Sequence, residues 1–228
     1  VPSPDTLVGV NCAGRTRSIM GAESLRRAGI PNKVVALRNG TMGWELAGLT
    51  CDRGKTARFP AGTPKTADLA LKRSTDFAHE AGVETISPAR LAEFEADTSR
   101  TLYVLDVRDP AEYRAGHRAG SVNAPGGQLV QATDTWVGVR NARIVLLCDS
   151  GARARMSAAW LKLMGHKETF VVDGNLAAVQ ASGTARAATQ PAVATTIGTA
   201  DLAAILGDST VVIDLGRSID FRDAHIPG

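Results

Sequence analysis

The sequence predicts an α/β fold made of units in tandem, each a small parallel sheet flanked by helices. Short apolar segments alternate with segments of helical spacing, which is typical of parallel sheets because parallel strands need a crossover between them. The chain also repeats itself at fixed offsets. Finally, one type of cysteine loop occurs twice, each time between a predicted strand and a predicted helix.

The repeats divide the chain into units. At an offset of 108 residues, Val104-Leu-Asp106 and His117 correspond to Val212-Ile-Asp214 and His225. At an offset of 136 residues, Cys12, Arg17, Leu25 and Gly29 correspond to Cys148, Arg153, Leu161 and Gly165. The middle of the chain contains both patterns. We therefore expect the second half of one unit at residues 1–51, a linker at 52–82, a complete unit at 83–180, a linker at 181–192 and the first half of a third unit at 193–228.

Local signals place the elements of the complete unit in order. Ser87 followed by Pro88 is typical of an N-cap and the first residue of a helix, which Leu91 and Phe94 continue as an apolar stripe. The elements predicted after this helix are a strand at 102–107, a short helix at 110–115, a strand at 144–147, a helix at 154–164 and a strand at 169–172.

Composition excludes several classes of protein. With 44% hydrophobic and 21% charged residues the chain can bury a core, and no apolar run reaches the roughly 18–20 residues that span a bilayer. The N-terminus shows no basic, hydrophobic leader. The 3 cysteines form no Cys-x-x-Cys pair and the 4 histidines are scattered, so we expect no disulfide framework, no metal and no cofactor. Free thiols indicate a reducing compartment, so we expect a cytoplasmic protein.

The charge pattern does not favour a nucleic-acid partner. The net charge is +3, and a basic segment at residues 51–73 alone carries +4. Nucleic-acid binders usually show a basic face interleaved with aromatic residues, whereas this segment contains Gly, Pro and Thr between its basic residues. We interpret it as part of a solvated linker and expect neither nucleic acid nor membrane as a partner.

The two cysteine loops carry the predicted chemistry. Loop one (residues 12–18) and loop two (residues 148–153) both follow an apolar strand, precede a helix and have the spacing Cys-x4-Arg. Such a junction directs backbone amides and the positive end of a helix at one point, which favours an anion. The same surroundings lower a thiol pKa from near 8.5 to about 3.5–7.5, so the cysteine becomes a nucleophilic thiolate.

A lone cysteine at a strand end is usually a small buried hydrophobe, but two copies of one spacing favour a functional site. Cys51 lies in no such loop, and we interpret it as structural. Gly14 and Gly151 are expected to let the loops curl where a Cβ would clash. The candidate nucleophiles are Cys12 and Cys148, and the candidate anion-binding residues are Ala13, Gly14, Arg15, Thr16, Arg17, Ser18, Asp149, Ser150, Gly151, Ala152 and Arg153.

At these residues the chain resembles the rhodanese family of sulfurtransferases. Residues 10–19 and 39–48 are similar to the second half of a rhodanese domain, and residues 106–117, with their echo at 214–228, resemble the first half. The resemblance implies that the Cys12 thiolate takes the outer sulfur of thiosulfate or a similar donor and releases sulfite. A persulfide then passes the sulfur to a small acceptor, cyanide or a thiol. Further rhodanese units in a longer chain are also implied.

The resemblance assigns roles within loop one. The backbone amides of residues 13–18 would stabilise the persulfide, and Arg17 would bind the oxygens of the donor. Arg15 would add positive charge at the mouth, and Ser18 would donate a hydrogen bond or cap the helix. Asp149 lies beside the second thiol, so we expect Cys148 to be slower with anionic donors or to serve another donor.

Residues outside the loops are expected to be structural. Asp106 and Arg108 would form a local ion pair, and His117 would anchor its loop by a hydrogen bond. Trp44 and Trp160 are expected to pack in the core.

Two alternative functions stay open. Cysteine phosphatases and arsenate-handling domains use Cys-x5-Arg, whose extra residue widens the loop for a tetrahedral oxyanion, whereas both loops here have four intervening residues. This spacing disfavours phosphatase chemistry. The alternatives are a non-catalytic rhodanese-like module that binds partners or senses redox state, and an arsenate-reducing thiol enzyme.

Overall fold

A computed structural model describes residues 1, 3–56, 62–174, 195–207, 209–214, 222 and 224–226. The chain divides into two compact units, Val1–Arg186 and Ala187–Gly228. The predicted α/β class with parallel sheets is confirmed, because every strand pair among the described residues is parallel. Each helix in this part of the chain is too short or too polar to cross a bilayer.

The N-terminal segment forms a small sheet with helices around it. Its elements are β1 (Val8–Val10), α1 (Thr16–Arg27), β2 (Val34–Ala36) and α2 (Gly40–Leu46). Strands β1 and β2 pair in parallel with Val8 opposite Val34. Loop one therefore leaves the carboxyl end of β1 and enters α1, as predicted.

A second, larger sheet follows in the same unit. Its strands and helices are β3 (Glu84–Ile86), α4 (Pro88–Ala96), β4 (Leu102–Asp106), α5 (Pro110–Ala115), β5 (Val122–Asn123), α6 (Gly126–Gln131), a 3₁₀ turn (Thr133–Thr135), β6 (Arg143–Leu147), α7 (Ala152–Leu163) and β7 (Thr169–Val172). The strand order is β3-β7-β6-β4-β5. Strand β6 is central, so loop two emerges in the middle of the sheet edge. The bounds of α1 and α7 differ by 136 residues at both ends, which is the offset of the cysteine loops.

The hydrophobic core lies on both faces of the larger sheet. On one face Leu146 packs with Leu129 and Leu161, which come from α6 and α7. On the other face Leu91 and Phe94 of α4 pack against the sheet. Strands covered on both faces are expected to be almost continuously apolar, and β6 and β7 are. Burial on both faces holds the end of β6 rigidly.

Most predicted boundaries hold to within two residues. The Ser87 hydroxyl accepts a hydrogen bond from the Arg90 amide at 3.1 Å, which confirms the predicted N-cap. The short helix over residues 110–115 and the strand over residues 169–172 have the predicted bounds. Helix α7 begins two residues before its predicted start, because Gly151, at φ +78°, ends the loop there.

One expectation needs correction. Residues 52–82, expected as a solvated linker, contain the helix α3 (Pro64–Glu80), which packs against α7. Phe77 is buried there, with its ring edge-on to that of Trp160 at 5.4 Å between centroids. The sequence does contain a start signal for this helix, Thr63 followed by Pro64. The Thr63 hydroxyl caps the helix by accepting a hydrogen bond from the Thr66 amide, as Ser87 does for α4.

In the second unit the structure describes the helix α8 (Thr199–Ile205). Residues 210–214, the counterpart of β4 by the 108-residue offset, are not in a strand there, and Val211 and Ile213 are exposed. In the larger sheet β4 pairs with β5 and β6 on its two sides. The predicted linker at 181–192 and the repeat residues Phe221 and Gly228 lie outside the described residues.

Candidate active site

Loop one is a strand-to-helix junction with unused amides. Cys12 follows β1 and is partly exposed. Arg15 occupies the N-cap position of α1, and its side chain caps no amide of the helix. The first amides of a helix have no partner within the helix. In loop one they are therefore available to a sulfur atom or an anion.

The start of α2 fixes the shape of loop one. The amides of Thr41 and Met42 donate hydrogen bonds to the carbonyl oxygens of Cys12 and Ala13 at 2.9 and 3.0 Å. Gly40 makes this approach possible: its φ is +57°, and a Cβ built there would lie 2.1 Å from the Cys12 carbonyl oxygen. Because these carbonyls are bonded to α2, the loop is held in one conformation around its thiol.

Loop one stabilises the thiolate form of Cys12. The Ser18 hydroxyl, the Ser18 and Gly14 amides and the charge of Arg17 lower the pKa of the Cys12 thiol from its ordinary value. Burial acts in the opposite direction without outweighing them. Ser18 is buried, and its hydroxyl also lies 2.9 Å from the carbonyl oxygen of Arg15, which fixes its position. Ser18 is the third residue of α1, and the N-cap position belongs to Arg15.

Three arginines around loop one have no ion-pair or hydrogen-bond partner for their side chains among the described residues. They are Arg15, Arg17 and Arg38. The Nε atom of Arg17 is buried in a cavity of about 130 Å³ between α1 and the helices α6 and α7, where Trp160 also lies. Guanidinium groups without a carboxylate partner leave the surroundings of Cys12 positive, which favours an anionic ligand.

Loop two surrounds its cysteine differently. Cys148 is 5% exposed, and the Ala154 amide donates a hydrogen bond to its sulfur at 3.3 Å. Burial raises the pKa of the Cys148 thiol, the charge of Asp149 raises it further, and the Ala154 amide only partly offsets them. Loop two therefore favours the neutral thiol.

The arginine of loop two is already occupied. The Arg153 guanidinium donates to both oxygens of Glu112 at 2.7 and 2.9 Å and to Asp149 at 3.0 Å. Arg153 in turn holds the pKa of the Glu112 carboxyl below its usual range. Glu112 also accepts a hydrogen bond from the Asp109 amide at 2.8 Å, so one carboxylate caps α5 and binds the loop arginine. Sequence analysis missed Glu112, although Asp109 and Glu112 have capping-box spacing.

The expectation for the loop glycines holds at one position and is wrong at the other. Gly151 has a φ of +78°, and a Cβ there would lie 2.1 Å from an Nη atom of Arg155. Gly14 has no positive φ, and a Cβ there would meet no atom within 4 Å. The tight approach in loop one occurs instead at Gly40, because α2 packs against the loop. The remaining candidates Thr16, Ser150 and Ala152 lie at the junctions of their loops with α1 and α7.

Several residues outside the loops have the expected structural roles. Arg108 forms a buried ion pair with Asp106 at 2.6 Å and donates to the Gly116 carbonyl oxygen. His117 hydrogen bonds through Nδ1 to the Tyr113 carbonyl oxygen at 2.9 Å and stacks on the Tyr113 ring. These contacts hold the segment that carries Glu112 against the end of β4.

Both tryptophans named as packing residues contact other elements, but one is not in a core. Trp160 packs on α3 and donates a hydrogen bond to the Ser24 hydroxyl at 2.8 Å. Trp44 is 40% exposed, and its Nε1 donates to the Thr50 carbonyl oxygen.

Burial raises the pKa of the Cys51 thiol and the nearby Glu45 raises it further, which agrees with a structural role. No group of three His, Cys, Asp or Glu side chains suited to a metal occurs in the described part of the chain.

Comparisons with known proteins agree with this geometry. A crystal structure of thiosulfate sulfurtransferase from Pseudomonas aeruginosa superposes with a TM-score of 0.73 at 54% identity, over 76% of this chain and 33% of that one. The putative sulfur carrier protein YrkF of Bacillus subtilis is 32% identical over 34% of this chain. The probable adenylyltransferase/sulfurtransferase MoeZ of Mycobacterium tuberculosis is 26% identical over 75% of it.

This chain spans 41% of YrkF and 44% of MoeZ, so it corresponds to part of each relative. The family model of the rhodanese-like domain matches residues 87–182, which include four of the five strands of the larger sheet, α7 and loop two. Together with the parallel sheet and the cysteine loop at the end of its central strand, this match shows that the chain contains a rhodanese-like domain.

Proposed function

We propose that this protein is a sulfurtransferase in which Cys12 carries sulfane sulfur from thiosulfate, or a similar anionic donor, to a thiol or cyanide. The environment of the Cys12 thiol supports the proposal most directly, because it is partly exposed and its pKa is lowered. Sulfur chemistry of this kind needs a thiolate. The 54% identity to a thiosulfate sulfurtransferase supports the same donor.

In the first step the Cys12 thiolate attacks the outer sulfur of thiosulfate. A new S–S bond forms, the S–S bond of the donor breaks, and its electron pair leaves with sulfite. Arg17 binds the oxygens of the donor, and Arg15 adds positive charge at the mouth. The Gly14 and Ser18 amides that stabilise the thiolate also stabilise the negative charge of the resulting persulfide.

In the second step a nucleophilic acceptor attacks the outer sulfur of the persulfide. The bond between the two sulfurs breaks, and its electron pair returns to Cys12 as the thiolate. Thiocyanate forms from cyanide, and a new persulfide forms from a thiol. Because the two substrates react in turn at one sulfur atom, ping-pong kinetics are expected.

Loop two is proposed as a second, slower site. Cys148 is buried with a raised pKa, and Arg153 is paired with two carboxylates, so a dianionic donor meets little free positive charge. Proposed ligand-binding groups there are the backbone of Ser150 to Ala152 and the side chain of Arg153. This site would serve a donor that is not an oxyanion.

The proposal is tested by intact-protein mass spectrometry after incubation with thiosulfate. The wild-type chain and the Cys148→Ser variant are expected to gain one sulfur atom, and the Cys12→Ser variant to gain at most a small fraction. Cyanide should then remove the sulfur as thiocyanate. If Cys148→Ser lost as much sulfur loading as Cys12→Ser, the ranking of the two loops would be wrong.

The same experiment separates the alternatives. A wild-type chain that gains no sulfur, at any thiosulfate concentration, supports a non-catalytic binding or redox-sensing module. Arsenate reduction by such a chain, with a thiol as reductant, would support the arsenate enzyme instead.

The arrangement of units is also part of the proposal. We propose that residues 1–51 and 193–228 belong to further rhodanese-like units of a longer chain, since the cysteine loop and α1 match loop two and α7 at one offset. The 3 cysteines are free, which a persulfide carrier requires and which suits a reducing compartment such as the cytoplasm.

A further inference from the structure

A cavity of about 410 Å³ lies beside loop one, at the exit of β2. We call it the β2-exit cavity, and its lining residues are Arg15, Ile19, Ala36, Leu37, Arg38 and Asn39. Arg15 belongs to loop one, and Asn39 is the N-cap of α2, whose next residue Gly40 contacts the Cys12 backbone. The cavity therefore adjoins the loop that holds the reactive thiol.

The charged residues that line this cavity are all positive. Arg15 and Arg38 line it without an ion-pair or hydrogen-bond partner for their side chains among the described residues, and no acidic residue is among its lining residues. Most other arginines of the unit are paired, as in Arg26 with Glu23 and Arg143 with Asp97. Two unpaired guanidinium groups at one cavity favour a ligand with two negative charges.

The size and the apolar part of the cavity argue against thiosulfate as its occupant. Ligand cavities for organic molecules are about 300–1,000 Å³, much larger than a five-atom anion needs. Ile19 is 46% exposed and Leu37 is 38% exposed, so an organic ligand would bury apolar surface that a small oxyanion would leave in water. Arg17, proposed for the donor, is not part of the lining.

We propose that the β2-exit cavity binds the sulfur acceptor, and that this acceptor is an organic thiol with two carboxylate groups. The inference rests on the proposed function of Cys12. Arg15 and Arg38 bind the carboxylates, and Ile19 and Leu37 contact the carbon chain. The acceptor thiolate then attacks the outer sulfur of the Cys12 persulfide, the bond to the Cys12 sulfur breaks, and its electron pair remains on Cys12.

The test compares two thiols of similar size on the persulfide form of the full chain. Cys12 is loaded with thiosulfate, excess donor is removed, and the rate of sulfur loss is measured with mercaptosuccinate and with neutral thioglycerol. A substitution that changes the reactivity of the persulfide alters both rates by the same factor. The ratio of the two rates within one variant is therefore independent of such a change. We expect Arg38→Gln to lower this ratio at least about tenfold, the usual effect of removing one charged hydrogen bond.

The control variant is Arg140→Gln. Arg140 is exposed, lies before the amino end of β6 and has no side-chain partner among the described residues. Its substitution therefore removes the same charge at a position away from the cavity. Its ratio should equal that of the wild-type chain. A ratio unchanged by Arg38→Gln, or lowered equally by Arg140→Gln, overturns the proposed acceptor site.

Calorimetry separates failure of this inference from failure of the proposed function. Mercaptosuccinate should bind the unloaded wild-type chain more tightly than it binds the Arg38→Gln variant, whether or not Cys12 accepts sulfur. If Cys12 never loads with thiosulfate, the proposed function fails, and the binding measurement still decides the cavity. Equal affinity for the two chains overturns the cavity assignment.

Discussion

Loop one and loop two have the same spacing, follow equivalent strands and precede helices of equal length, yet their cysteines differ in chemistry. Cys12 is partly exposed with a lowered pKa, whereas Cys148 is buried with a raised pKa. Arg17 has no acidic partner among the described residues, whereas Arg153 has two.

The difference arises from residues inside the loops, such as Ser18 and Asp149, together with residues that other elements bring to them. Glu112 comes from α5 and neutralises Arg153. Gly40 of α2 permits the close approach in which the Thr41 amide donates a hydrogen bond to the Cys12 carbonyl oxygen. A motif of the form Cys-x4-Arg therefore indicates a loop between a strand and a helix. The side chains that surround the loop in the fold determine the charge and the exposure of the sulfur.

The largest effect is expected from Gly40→Ala. Its Cβ would lie 2.1 Å from the Cys12 carbonyl oxygen at a φ of +57°, so α2 or loop one must move. We expect sulfur loading of Cys12 to fall at least about a hundredfold, and the free energy of unfolding to fall by about 3 kcal/mol or more. Loading is measured by mass spectrometry and stability by urea unfolding.

Gly29→Ala is the matched control for this change. Gly29 also has a positive φ, +67°, but a Cβ there would meet no atom within 4 Å. Only the backbone strain should remain, about 1 kcal/mol, with loading of Cys12 retained. Equal loss of loading in the two variants would mean that general destabilisation, and not the contact with α2, explains the effect.

The second prediction concerns the pH dependence of alkylation. The thiolate is the reactive form, so a lowered pKa shifts the rise in rate with iodoacetamide to lower pH, and a raised pKa shifts it to higher pH. The midpoint for Cys12 should lie below the ordinary value of about 8.5, and that for Cys148 above it. At pH 7 Cys12 should react at least about tenfold faster, as measured by peptide mass spectrometry.

Ser18 supplies the largest single contribution to the low pKa of Cys12. Ser18→Ala should therefore move the Cys12 midpoint to higher pH and leave the Cys148 midpoint in place. A Cys12 midpoint that did not change would show that the hydroxyl only stabilises the helix.

The class of fold and the position of the loops were predictable because they depend on local signals. Apolar runs such as Ile144–Leu147, the pair Ser87-Pro88 and the repeated Cys-x4-Arg spacing act within a few residues. The contacts that distinguish the two sites join distant segments. Glu112 lies 41 residues from Arg153, and Gly40 lies 28 residues from Cys12. Helix α3 was missed because its basic residues suggested a solvated segment, although Thr63-Pro64 is a local start signal.

The third prediction tests the charge of loop two. In Glu112→Gln one carboxylate at Arg153 is removed, so the guanidinium regains part of its charge for a ligand. The ratio of alkylation rates at Cys148 with anionic iodoacetate and neutral iodoacetamide should rise about two- to fivefold. The ratio at Cys12 should not change. In the wild-type chain the ratio should be higher at Cys12 than at Cys148.

The ion pair between Arg153 and Glu112 also forms over a defined range of pH. Because Arg153 lowers the pKa of Glu112, the ion pair is fully present above the ordinary glutamate pKa of about 4.3 and is lost as the pH falls through the lowered value. The difference between the wild-type chain and Glu112→Gln should therefore persist from pH 8 down to about 5. A difference that vanished within this range would argue against the ion pair.

The smallest effect is expected where the helix after loop one meets the helix after loop two. Trp160 donates a hydrogen bond to the Ser24 hydroxyl at 2.8 Å and packs edge-on against Phe77, so it joins α7 to both α1 and α3. Trp160→Phe keeps an aromatic ring but removes the donor, which should lower the free energy of unfolding by about 1 kcal/mol. Ser24→Ala should cost somewhat more, because it also removes the hydrogen bond from the Ser24 hydroxyl to the Met20 carbonyl oxygen. The double variant should cost little more than Ser24→Ala alone, because the bond between the two side chains is already lost. Additive losses in urea unfolding would show that the two side chains stabilise the fold independently, and that the helices after the two loops are not joined through this bond.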